Sequence, residues 1–78
     1  MNKELLGNFI KVENISNVKG RAVPNQHIIQ TDKGIVFQSY SSIIAAKVGG
    51  KVYLDENKWD YSTTTGRYRN VFLREVIS

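Results

Sequence analysis

Short turn signals recur along this chain, and their spacing leaves room for little except strands. Gly7, Lys19-Gly20, Pro24-Asn25, Asp32-Lys33-Gly34 and Gly49-Gly50 each separate two apolar segments. Short runs rich in Val and Ile, bounded by Gly, Pro, Asn and Asp, read as strands joined by tight connections. In residues 9–15, Ile10 and Val12 alternate with Lys11 and Glu13, which predicts a half-buried first strand. Residues 16–21 read as a loop, and 25–31 as a second strand centred on Ile28 and Ile29. Asp32-Lys33-Gly34 then predicts a three-residue hairpin loop with Gly34 in the left-handed conformation, and 35–40 is the returning strand. Residues 41–48 continue extended, and Gly49-Gly50 predicts a two-residue turn into a strand over 51–55. That turn sets Val52 opposite Lys47 and Leu54 opposite Ala45, with Ala45 and Leu54 expected to share the core.

From Ser62 onward the period changes. Tyr68, Phe72 and Val76 recur every four residues with Leu73 beside them, which is one face of a helix. Ser62, Thr63 and Thr65 are candidate N-caps, and Asp60 adds negative charge at the positive end of the helix dipole. Gly66 weakens the first turn and blurs the start. The expected fold is α+β: a small antiparallel sheet of four to five strands with a C-terminal helix packed on one face, its apolar stripe covering the sheet.

Seventy-eight residues suit one domain, 1–78, with a small core. The chain has no cysteine, so neither disulfides nor thiolate-bound zinc can hold it together, and packing must. Cysteine-free small domains fit a reducing compartment, so a cytoplasmic location is expected. The first seven residues lack the apolar core of a signal peptide, and no apolar run is long enough to span a bilayer, so no membrane partner is expected.

Catalytic chemistry is poorly supplied. His27 is the single histidine, no nucleophile-elbow motif surrounds the serines, and no glycine-rich phosphate loop is present. His27 is expected on the sheet surface, solvated or hydrogen-bonded. Asp55, Glu56 and Asp60 gather around a turn but lack the alternating ligands and central glycine of a calcium loop. No catalytic set, cofactor or metal is expected, and the chain is not expected to be an enzyme.

Residues 58–70 are the most distinctive stretch, with Trp59, Tyr61, Tyr68, Arg67 and Arg69 around a hydroxyl-rich helix start. Such residues can bind anions or anchor an interface, or they can cap and fill the core. On a helical projection Arg67, Asn70 and Arg74 share one polar stripe facing solvent, whereas Arg69 falls at the margin of the apolar face and is expected to be paired.

The runs Val23-Pro24-Asn25-Gln26, Phe37-Gln38-Ser39-Tyr40-Ser41-Ser42-Ile43-Ile44-Ala45, Val52-Tyr53-Leu54-Asp55, Trp59-Asp60-Tyr61-Ser62, Thr64-Thr65, Tyr68-Arg69-Asn70 and Phe72-Leu73 form an ordered series. It resembles a family of small uncharacterised proteins from phages of Gram-positive bacteria, over roughly positions 20 to 74. Arg67 stands where that pattern leads one to expect lysine. The resemblance implies a phage or prophage product acting in a bacterial cytoplasm, and it implies no site residues.

With a net charge of +4, two binding functions are open. One is an accessory module that binds a host protein, in the manner of inhibitors of host defence. The other is a module for single-stranded DNA or RNA, although the cations are scattered rather than clustered. Either would act as a monomer or homodimer. The candidate contact residues are Arg67, Asn70 and Arg74 on the helix, with Tyr40 and Tyr53 on the sheet.

Overall fold

The computed structural model describes residues 2–17, 19–59 and 62–77. Five strands, β1 (Phe9–Ser16), β2 (Ala22–Thr31), β3 (Gly34–Ser39), β4 (Ser42–Val48) and β5 (Lys51–Leu54), form one antiparallel sheet in the order β1-β2-β3-β4-β5. A short helix α1 (Lys3–Leu6) precedes the sheet, and α2 (Thr63–Val71) follows it, continuing as a π-helical segment, Phe72–Val76. The expected α+β architecture with a C-terminal helix on the sheet is the one observed.

The sheet buries both faces. On one, Ile15, Phe37, Ile44 and Ala45 pack with Phe72 from the helix, flanked by Ile28, Ile35, Tyr68, Val71, Leu73 and Ile77. On the other, Ile29, Val36 and Ala46 pack beneath Leu6 of α1. The second core lies outside the single covered face expected from the sequence. Asn2 caps α1 by accepting from the Leu5 amide, and Gly7 ends it at φ +84°. The Lys33 ammonium donates to the Glu4 carbonyl, which fastens α1 to the β2–β3 turn.

The Gly49-Gly50 turn takes positive φ at both residues, as its composition requires, and sets Ala45 opposite Leu54 and Lys47 opposite Val52. Three other local expectations change. Gly34 is the first residue of β3 and is not left-handed; a Cβ there would lie 2.0 Å from the Lys47 carbonyl oxygen, so close approach of β4 is what demands glycine. The run 41–48 does not simply extend the preceding strand, because Tyr40 at φ +56° and Ser41 make a turn between β3 and β4. Leu54 is 44% exposed, since β5 is an edge strand that the helix does not cover.

A register shift in β4 follows the pairs Phe37–Ala45 and Gln38–Ile43 and leaves Ile44 as an extra residue. The bulge lets Ile44 and Ala45, consecutive in sequence, enter the same core. At the C-terminus the helical stripe is also altered. Phe72 is fully buried, but Val76 is 36% exposed and Ile77 packs in its place. The Ile77 amide donates to the Phe72 carbonyl, five residues back, at 3.2 Å. This wider π turn replaces the four-residue spacing that would have brought Val76 beneath Phe72.

Candidate partner-binding surface

Helix α2 is positioned by hydroxyl groups at its start. The Ser62 Oγ accepts from the Thr65 amide at 3.0 Å, closing the first turn as an N-cap. Thr65 points inward, fully buried, and its Oγ1 lies 2.9 Å from Ser39 Oγ on β3. Ser62 and Thr65 are therefore engaged in fixing the helix to the sheet, and only Thr63 and Thr64 of this group remain exposed for a partner. Asp60 and Tyr61 lie outside the described residues.

With Thr65, Tyr68 and Phe72 turned toward the sheet, Arg67, Asn70 and Arg74 are exposed on the outer side of the helix. Beside them is a preorganised group. The Arg69 guanidinium lies 4.9 Å from the centre of the Trp59 ring and donates to the Trp59 carbonyl at 2.7 Å. It also donates to Asn70 Oδ1, at 3.0 Å from Nη2 and 3.3 Å from Nε. Arg69 is thus paired, as its place on the helix margin implied, and Asn70 is partly committed to holding it. Trp59 is 40% exposed and does not fill the core. An indole held in place by a stacked arginine presents a large apolar surface at little further entropic cost.

Next to this patch a groove of 330 Å³ separates α2 from the end of β1, lined by Ser16, Asn17, Arg67, Tyr68, Val71 and Glu75. Asn17 shapes its rim, accepting through Oδ1 from the amides of Lys19 and Arg21. Arg67 and Glu75 bring opposite charges to this one groove.

The two tyrosine candidates lie off the helix, on the sheet and in its β3–β4 turn. Tyr40 is exposed in the β3–β4 turn. Tyr53 stands opposite Ala46 on β5, and Ala46 belongs to the core beneath α1, so Tyr53 faces away from α2. Tyr53 therefore belongs to a different surface from Arg67, Asn70 and Arg74, as its assignment to the sheet implied.

Other candidates carry less chemistry. His27 is half-buried on the α1 side of the sheet, in register with Gln38, and its Nδ1 is buried without a hydrogen-bond partner. Asp55 Oδ1 accepts from the amides of Asn57 and Lys58, which makes it a turn-forming residue. Among the described residues no three His, Asp or Glu side chains gather as metal ligands, and no helix is long and apolar enough to cross a membrane.

β1 is more exposed than its alternation implies. Ile10 is 69% exposed and Val12 is 56% exposed, although alternation predicted that one side of this strand would be half-buried. Lys11 and Glu13 form an ion pair on the strand surface at 2.6 Å, and hydrogen bonding to Glu13 holds the Lys11 ammonium above its ordinary pKa. Alternation reports which residues share a face and not whether anything covers that face.

Compared with known families, residues 10–76 match the model of a family of unknown function, DUF8033. The chain belongs to that family. The match begins in β1 and ends with the π-helical segment, so the whole sheet and the helix across it make up the DUF8033 unit, with α1 preceding it. No curated protein and no solved structure matches the chain.

Proposed function

We propose that this DUF8033 protein is a binding module, not an enzyme, and that it acts by seating the outer side of α2 and the Trp59–Arg69 group on another protein. The observation that carries this reading is the exposed Trp59 ring, locked by the stacked Arg69 guanidinium, which donates to the Trp59 carbonyl and to Asn70 Oδ1. Tryptophan and arginine dominate the energetics of protein interfaces, and a pair rigid before binding loses little freedom on contact. Arg67, Asn70 and Arg74 would form the polar surround of this anchor, suited to a partner that supplies carboxylates. In keeping with the phage resemblance, the partner would be a host macromolecule in the bacterial cytoplasm, for example a protein of defence or housekeeping whose action is blocked.

A single-stranded nucleic acid is the less favoured partner. One face of Trp59 is already occupied by Arg69, Tyr53 faces away from α2, and Glu75 lines the same groove as Arg67. The test is capture from a bacterial host lysate with and without nuclease, using wild type, Trp59→Ala and the pair Arg67→Ala with Arg74→Ala. Nuclease-resistant capture of a protein, weakened by Trp59→Ala and by the arginine pair, is the expected result. Capture abolished by nuclease, with a salt-dependent shift of single-stranded DNA or RNA, would overturn it in favour of nucleic-acid binding.

A further inference from the structure

β1 is an edge strand, so one side of its backbone is unpaired, and it carries the most exposed aliphatic side chains of the described residues, Ile10 and Val12. Its central charges have a particular order: Lys11 and Glu13 project from the same face on either side of Val12. We propose that β1 pairs with β1 of a second copy of this chain, antiparallel and centred on Val12, so that two sheets join into one continuous sheet of twice the width. In that register the strand positions sum to a constant. Val12 meets Val12 of the second copy, Lys11 meets Glu13, and by the two-fold symmetry Glu13 meets Lys11.

The charge order selects the occupant. Charged side chains on an edge strand normally discourage pairing, and here Lys11 and Glu13 already hold each other within the strand at 2.6 Å. An antiparallel partner sets a second opposite charge beside each of them, with no like charges opposed, only if it presents the same two charges in reversed order, which this strand itself does. The valines then cover each other on the opposite face. The other edge, β5, is four residues long and offers no such self-matching pair. Register shifts at Phe9/Lys11 and Asn14/Ser16 bound the straight part of β1, so the joined segment is short. It buries less than the roughly 1,200–2,000 Å² of a stable interface, and the dimer accordingly forms only at high protein concentration.

The test is sedimentation of the full chain over a concentration series reaching about 1 mM, where even weak association is populated. Wild type should pass from monomer to dimer. Lys11→Glu or Glu13→Lys alone places like charges opposite each other at both symmetry-related positions and should weaken the dimer by about tenfold or more. The double variant carrying Lys11→Glu and Glu13→Lys restores the match and should dimerise like wild type. An equimolar mixture of the two single variants should form a heterodimer, since one then presents two negative charges and the other two positive ones. Thermal melts of the dilute variants check that each is folded. Wild type that remains monomeric throughout would overturn the proposal, as would a dimer indifferent to the single reversals or not rescued by the double variant.

Discussion

Phe37 on β3 and Phe72 on the C-terminal helix stack with ring centroids 5.8 Å apart and planes 25° from parallel, and this contact joins the sheet to the helix at the centre of the larger core. Both rings are fully buried. Phe72→Ala should therefore cost about 3–5 kcal/mol, through lost burial and the cavity left against Phe37. That is a large part of the stability of a small domain. Urea unfolding measures it directly, and a midpoint near wild type would mean that the helix does not cover the sheet.

Gln26 should be a site of built-in instability. It lies on the α2 side of β2, in register with Ser39, and it is fully buried with neither amide atom hydrogen-bonded. A buried polar group without a partner costs about 1–3 kcal/mol. Gln26→Leu, similar in volume and apolar, should raise the unfolding free energy by an amount of that order. A lower midpoint than wild type would show that the amide is satisfied in solution.

Gly34→Ala tests a different demand on glycine. The added methyl would meet the Lys47 carbonyl oxygen at 2.0 Å and force β3 and β4 apart. Overpacking against backbone costs about 1–3 kcal/mol. Substituting Gly20, where a Cβ would meet nothing within 4 Å, should be milder and limited to the strain of its positive φ of 78°. Parallel melts of the two variants separate steric from conformational cost.

Lys47 reaches across from β4 to donate to the Ile77 carbonyl at 3.1 Å, placing a positive charge at the C-terminal end of the helical segment. Such a charge, partly shielded from water, contributes about 1 kcal/mol. Lys47→Met keeps most of the side-chain stem and should lose that amount, with faster amide exchange confined to the last helical turn. Exchange that speeds up throughout α2 instead would mean that Lys47 supports the whole helix.

Much of the architecture was legible in the residues because the terms that decide it act over a few positions. Two consecutive glycines set the β4–β5 turn and hence the register of Ala45 with Leu54, and the Ser62 hydroxyl set the start of α2. The spacing of Tyr68 and Phe72 identified the covering face of the helix. Of the candidate surface, the exposure of Arg67, Asn70 and Arg74 followed from helical periodicity, and the pairing of Arg69 from its place at the margin. What the tertiary structure alone decided is which faces are covered and where regular geometry gives way. Alternation placed Ile10, Val12 and Leu54 on definite sides of their strands, but they stay in water because, among the described residues, no element lies over the sheet edges. The bulge at Ile44 and the π turn that exchanges Val76 for Ile77 break the two ideal periods, and no local pattern encodes them. Gly34 has the composition of a turn residue and serves instead as the point where two backbones meet. Backbone preference and capping are short-range and can be read along the chain, whereas burial is a relation between segments and exists only once the sheet and its two helices have packed.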